Sequence, residues 1–293
     1  MACPVRSLVP FLSMLALVSA CGGSKHGAAV GDGGAQSSPC GECPATYACG
    51  TANGQAVCRA PSGVPLFTSV FVVVMENASL ATLKASDNTP YLSGLEQAWA
   101  SAADYHGVAH PSLPNYVAMT SGDTGGITCD CSPEGTACTA ATCTILSGNC
   151  GCPQTGRSNL GDQIEAAHGN WRMYGEDMGT PCNRKASASY APKHVPFVYY
   201  PAITDDTARC AEHVVDFSEF SNDLGKTPAR KFSFISPNLV HDMHDPFPEG
   251  ATNYAAGDQW LSSTVPPILD SDAFKKGGLL VIVWDEDDLS GVV

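Results

Sequence analysis

Carboxylates, amides and imidazoles gather in a few short segments of this chain. Glu76-Asn77 and Asp285-Glu286 offer hard oxygen atoms of the kind that hold a divalent cation. In His241-Asp242-Met243-His244-Asp245, the histidines can bind a metal or an anion, and the two aspartates can orient their rings. Ser112, within His110-Pro111-Ser112-Leu113-Pro114-Asn115-Tyr116, offers a hydroxyl nucleophile. Pro114 suits the first turn of a helix and Gly122 its end, so the spacing predicts Ser112 at the N-cap. Free backbone N–H groups and the helix dipole favour an anion there, and would also stabilise a serine alkoxide. A serine before such a pattern more commonly just caps the helix, and spacing alone favours that role.

The elements that must position these groups are buried strands and amphipathic helices. Ser69 to Met75, Phe232 to Ser236 and Leu279 to Trp284 are apolar runs of the kind found in parallel sheets. Helical spacing joins Leu92, Leu95 and Trp99 behind Asn88-Thr89-Pro90, and joins Leu160, Ile164 and Ala167 ahead of a stop at Gly169. A further helix is expected around Trp260 and Leu261. Strands alternating with helices predict an α/β fold, a three-layer sandwich. Glu76-Asn77, then Asn238 with the His241–Asp245 segment, then the acidic run from Asp285 to Asp288 each follow a strand. Ligands of open α/β sheets bind beyond the carboxyl ends of strands, so one convergent site is expected.

The N-terminus has the features of an address. Arg6 precedes an apolar stretch from Leu8 to Ala20 that is too short to span a membrane. Val18-Ser19-Ala20-Cys21 resembles a lipobox, which implies acylation of Cys21 and a membrane contact through that anchor alone. An ordinary secretory signal is the alternative. Residues 21–38 read as a flexible tether, 39–60 as a small cysteine-rich module, and 65–293 as the main domain. Of the 14 cysteines, setting aside Cys3 and Cys21 leaves an even set, which in an exported chain predicts disulfides. Cys182–Cys210 is the one pair that stands apart from the dense clusters, within which pairing stays open. Zinc at Cys40, Cys43, Cys49 and Cys58 is a weaker alternative, because no second C-x-x-C and no nearby histidine completes a site. The net charge of −14 argues against a nucleic-acid partner. Nothing in the sequence sets an oligomeric state.

Five segments recur here in one order: Val72-Val73-Val74-Met75-Glu76-Asn77, His110 to Tyr116, Lys193-His194-Val195-Pro196-Phe197, Asp242-Met243-His244-Asp245, and Trp284-Asp285-Glu286. Together they resemble the phosphoesterase family of bacterial acid phosphatases and phospholipases C, within the alkaline phosphatase superfamily. The acid phosphatase branch is nearer because of His-Pro-Ser-Leu-Pro-Asn-Tyr. The resemblance covers roughly residues 69–293 and implies an alkaline-phosphatase-like fold and hydrolysis of phosphate esters. It maps Glu76, Asn77, Asp285 and Glu286 to ligands of a divalent metal ion and Ser112 to a nucleophile that is phosphorylated in turn. His194 and His244 map to phosphate contacts or proton donors, and Asn115, Asp242 and His241 to supporting or substrate-binding places. The cysteine-rich stretch Cys129–Cys152 is an insertion against this pattern, and the chain stops at Val293 where family members usually continue, so a domain truncated at its C-terminus is expected. A phospholipase C or phosphodiesterase using the same site, or a non-catalytic surface binding lipoprotein, are the alternative functions.

Overall fold

The protein is an α/β sandwich. A computed structural model describes residues 15–17, 39–40, 43, 47–52, 55–59, 63–137, 150–244 and 253–287. Cys21, the tether, Asp245 and Asp288 lie outside these residues. The strands in chain order are β1 (Leu15–Leu17), β2 (Ala48–Ala52), β3 (Gln55–Arg59), β4 (Val70–Met75), β5 (Thr136–Ala137), β6 (Cys150–Gly151), β7 (Trp171–Gly175), β8 (Val214–Asp216), β9 (Phe232–Ser236) and β10 (Leu279–Trp284). The central sheet has the order β1-β10-β4-β9-β7-β8. Every pairing in it is parallel except that of β1, which lies antiparallel against β10. Leu15–Leu17 falls within the stretch read as an export signal, and it covers the edge of β10 with Leu15 opposite Ile282.

The middle strands are buried along nearly their whole length, so both faces of the sheet must be covered. The covering helices include α1 (Leu80–Ala85), α2 (Pro90–Ala98), α3 (Ser112–Ser121), α4 (Leu160–Ala166), α5 (Pro201–Thr204), α6 (Thr207–His213), α7 (Phe220–Leu224), α8 (Tyr254–Asp270) and α9 (Asp272–Lys275). Helix α2 begins with Pro90 at its first position, and buries Leu92 and Leu95. Trp99 is already past its end, where it meets Phe274 edge-on at 6.1 Å. Asn159 caps α4 with a full capping box to Asp162, and the chain leaves that helix through His168 at φ 56° and Gly169. Gly122 at φ 90° ends α3 in the left-handed conformation that glycine adopts at little cost.

Strands β7 and β8 were not foreseen. Arg172 interrupts the apolar pattern of β7, yet its guanidinium donates to the buried Asp223 carboxylate at 2.8 Å. Asp223 also accepts from the Tyr174 hydroxyl at 2.8 Å and from Lys226 at 2.6 Å, so the charge in the strand is matched rather than solvated.

In the N-terminal region, the disulfides Cys40–Cys49 and Cys43–Cys58 tie the preceding segment to the β2–β3 hairpin, which uses all four thiols and leaves none for zinc. Cys182–Cys210 is also bonded, as its isolation in sequence predicts, and Cys131–Cys152 is bonded within the cysteine-rich stretch. No described helix is long and apolar enough to cross a membrane.

Candidate active site

The site forms where three neighbouring strands end. β4 lies between β10 and β9, with Met75 opposite Trp284, so Glu76-Asn77 and Asp285-Glu286 leave the sheet side by side. Two backbone bonds hold the turns together: Glu76 N–H donates to Asp242 O at 2.8 Å, and Asp285 N–H to Met75 O at 3.1 Å. The expected convergence of three polar clusters is thus met. Two left-handed residues sharpen the turns. Asn77 has φ 36°, which an asparagine tolerates, and Met243 has φ 75°, which a bulky side chain does not adopt without strain. Met243 is fully buried against α8 at Gly257, where an added Cβ would stand 2.4 Å from Met243 Cγ.

Ser112 is not the N-cap. Pro111 holds that place, and Ser112 is the first residue of α3. Its hydroxyl does not bond the helix backbone; it faces Glu76 Oε2 at 2.8 Å and Glu286 Oε1 at 3.1 Å. The helix end also offers an anion less than expected. Pro114 has no N–H, and that of Leu113 donates to Asp130 Oδ1 at 3.0 Å. Asn115 braces the loop in front of Ser112. Its Oδ1 accepts from Val108 N–H (2.9 Å) and Ala109 N–H (3.0 Å), while its Nδ2 donates to Ala109 O and Pro111 O. That spends its bonding capacity on the loop, a supporting place rather than a ligand-facing one. The same loop runs so close to the acidic turn that a Cβ on Gly107 would lie 3.0 Å from Asp285 O.

Glu76, Asp242, Asp285 and Glu286 are all essentially buried. Burial first, then Asp285 and Asp242, push the Glu76 carboxyl well above its usual range, against the pull of Lys193 and Tyr116. Burial and then Glu286 do the same to Asp285, and burial raises Glu286 against His110, Ser112 and Asn77. Such crowding is costly unless protons or a cation neutralise it. Two buried oxygens here, Asn77 Oδ1 and Asp285 Oδ2, accept no hydrogen bond from the protein. Among the described residues, three His, Cys, Asp or Glu with ligand atoms within 4.8 Å of one another occur only in cysteine groups engaged in disulfides. The carboxylates alone therefore do not make a closed cage. With the Asn77 amide and the Ser112 hydroxyl the set is a mixed shell of hard oxygens, and this fits a divalent cation.

The histidines divide. His194 is buried, stacks on Tyr116 at 5.3 Å, and places Nε2 3.1 Å from Glu76 Oε1 without aligning for a hydrogen bond. Burial, then the charges of Lys193 and His244, hold it well below the usual imidazole range. His244 is exposed at the rim, and its backbone N–H donates to Asp242 Oδ1 at 3.0 Å. His241 is turned aside to Glu176 at 2.9 Å and lies over Trp260.

Several participants carried no role in the sequence reading. The Tyr116 hydroxyl donates to Glu76 Oε1 at 2.6 Å, its place in the motif being the only signal. His110 pairs with Glu286 through Nδ1 and with Asp287 through Nε2 at 3.1 Å. Lys193 and Asp130 form a pair at 2.8 Å that joins segments 63 residues apart, which no local pattern announces.

The model of the Phosphoesterase family matches residues 68–289, the whole span that carries this site. The chain belongs to the Phosphoesterase family. It is 30% identical over 230 residues to the phosphatidylinositol-3-phosphatase of Mycobacterium tuberculosis, covering 78% of this chain and 67% of that one. It is 27% identical over 220 residues to the phosphate-repressible acid phosphatase of Penicillium chrysogenum, covering 73% and 47%. With an acid phosphatase of Aspergillus fumigatus the identity is 26%, covering 75% and 45%. The chain spans about half the length of these fungal relatives. The family membership accords with the order of the five motifs.

Proposed function

We propose that this member of the Phosphoesterase family hydrolyses phosphate monoesters, with Ser112 as nucleophile and a divalent cation as cofactor. The observation that carries this is the Ser112 hydroxyl, set between Glu76 and Glu286 instead of capping its helix. All the relatives named above are phosphatases, which supports a monoester over a diester.

In the first step the Ser112 Oγ–H proton passes to the carboxylate it faces, Glu76 Oε2 or Glu286 Oε1, and Oγ attacks phosphorus. The bond from phosphorus to the alcohol oxygen breaks, and that oxygen takes a proton as it leaves. His194, buried with Nε2 3.1 Å from Glu76 Oε1, suits a phosphate contact, while His244 at the rim is the donor to the departing alcohol. Water then attacks phosphorus, the bond from phosphorus to Ser112 Oγ breaks so that inorganic phosphate leaves, and the carboxylate that took the Ser112 proton returns it to Oγ. Tyr116 fixes the rotation of Glu76 by occupying Oε1, which leaves Oε2 facing Ser112. Glu76, Asn77, Asp285 and Glu286 would hold the cation, and its chemistry there is to neutralise buried charge and favour the serine alkoxide.

The test is phosphate release from p-nitrophenyl phosphate and from bis(p-nitrophenyl) phosphate after loading with divalent cations. Faster release from the monoester supports the proposal. Release from the diester alone moves the function to a phosphodiesterase or phospholipase C, and no release from either overturns it. The disulfides fit an exported protein. An anchor at acylated Cys21 belongs to the same proposal, and mass spectrometry of membrane-extracted protein checks it.

A further inference from the structure

The inserted cysteine-rich stretch reaches into the site through one side chain. Asp130 stands between Cys129 and Cys131, both disulfide-bonded, and Cys131 is joined to Cys152. Around it the backbone is fastened further: Ser132 N–H donates to Cys150 O at 2.8 Å, Cys152 N–H to Ser132 O at 2.9 Å, and the buried Tyr199 hydroxyl to Cys131 O at 2.7 Å. The Asp130 carboxylate is therefore presented from a stapled segment. Each of its oxygens has a separate task. Oδ1 accepts from Leu113 N–H at 3.0 Å, one residue after Ser112, and Oδ2 accepts from Lys193 Nζ at 2.8 Å.

Both partners matter to the chemistry. The Leu113 N–H belongs to the buried first turn of α3, at the helix end where a carboxylate is favoured, and fixing it fixes the turn that carries the Ser112 hydroxyl. Lys193 immediately precedes His194, whose Nε2 lies 3.1 Å from Glu76 Oε1, and its charge opposes the rise of the Glu76 carboxyl. An arriving phosphate dianion meets several buried carboxylates, and the Lys193 ammonium, held at Asp130, offsets part of that repulsion. A lysine side chain is long and loses much rotamer freedom when held, so a rigid partner is needed to keep it there.

We propose that Asp130 is a positioning residue for the phosphoesterase reaction, tying the disulfide-stapled insertion to the Ser112 turn with one oxygen and holding Lys193 beside the acid cluster with the other. The inference rests on the phosphatase reading given above. It makes Asp130, at the start of the cysteine-rich stretch, a working part of the site.

The test compares wild-type full-length protein with Asp130→Asn, Asp130→Ala, Lys193→Met and the Asp130→Asn/Lys193→Met double variant, all with disulfides intact. Steady-state hydrolysis of p-nitrophenyl phosphate and inhibition by inorganic phosphate are measured. Asparagine keeps an oxygen for Leu113 N–H and loses the charged partner of Lys193. Asp130→Asn should therefore weaken phosphate inhibition by about tenfold, the worth of one charge-assisted contact, with kcat within about threefold of wild type. Lys193→Met should match it, and the double variant should be no worse than either single one. Asp130→Ala should in addition lose about 10²-fold in kcat, the scale of a small misplacement of the reacting group. Unchanged phosphate inhibition in both Asp130→Asn and Lys193→Met would overturn the proposal, as would additive losses in the double variant. If alanine prevents folding, the asparagine and methionine variants decide alone. A wild-type protein that releases no phosphate overturns the functional reading itself, whereas active wild type with indifferent variants overturns only the role of Asp130.

Discussion

The Ser112 hydroxyl meets Glu76 Oε2 at 2.8 Å across 36 residues of chain, while the backbone of its own helix receives nothing from it. The serine is placed by the sheet end and α3 together, and neither alone would bring the two groups within reach.

Replacement of Ser112 should thus cost activity and little stability. Ser112→Gly is expected to lose at least about 10³-fold in turnover, the range left to binding and electrostatics when a catalytic group goes. Because no capping bond is lost, the melting temperature should stay close to wild type. Intact-mass analysis after substrate quench should show a phosphate adduct in wild type and none in the variant. A Ser112→Gly protein with near-native turnover would remove the nucleophile assignment.

Removal of divalent cations should abolish hydrolysis and also lower stability, because the buried Glu76 and Asp285 carboxylates are then offset only by protons and by the charge of Lys193. Cation at a hundred times its Kd should restore about 2.7 kcal/mol by mass action. Thermal melts in EDTA and after re-addition of single cations read this directly. Full activity and an unchanged melt in excess chelator after dialysis would argue against a metal enzyme.

Gly257→Ala should damage the turn that carries Asp242 and His244. The new Cβ would stand 2.4 Å from Met243 Cγ and 2.8 Å from His241 O, and the second of these is backbone that cannot swing away. A cost of about 1–3 kcal/mol is expected, as for overpacked cores, with a fall in kcat greater than in KM. Chemical denaturation and steady-state kinetics check the pair, and a variant of native stability and rate would show that the turn yields freely.

The His241–Glu176 contact predicts a pH dependence of stability. The hydrogen bond that His241 Nδ1 donates to the Glu176 carboxylate raises the imidazole above its usual range, burial opposes it, and the charges of Glu176, Asp177 and Asp242 add to the rise. A raised histidine contributes stability that is complete below the unfolded value of about 6.5 and is lost as pH climbs through the folded value. The pair is partly exposed, so the contribution is at most about 1 kcal/mol. Glu176→Gln should flatten that segment of the stability–pH curve, and a wild-type curve with no loss on the alkaline side of 6.5 would contradict the prediction.

Much of the frame was legible because it is written locally. β4, β9 and β10 are continuous apolar runs, and the acids that follow them announce their own place at strand ends. β7 was hidden by Arg172, whose charge is answered by Asp223 51 residues away, and β8 has only three residues with which to declare a pattern. The site was legible in its residue types and less so in its contacts. Proline at the first turn of α3 located the helix but displaced the cap by one residue, from Ser112 to Pro111. Tyr116, Lys193 and Asp130 act through bonds that span 40, 63 and 17 residues, and no periodicity encodes such distances.

The pairing of β4 with β10 has a consequence in time. Glu76-Asn77 and Asp285-Glu286 become neighbours only when β10, the last described strand, docks in register beside β4. A chain emerging N-terminus first carries Glu76, Asn77 and Ser112 long before it carries the acids that complete the set. On the proposal of a divalent cofactor, a half-built site of that kind would have little hold on an ion, so the choice of metal would fall to whichever compartment the chain folds in. If folding followed export, local supply outside the cytoplasm, not the ranking of intrinsic affinities alone, would set which cation the proposed site acquires.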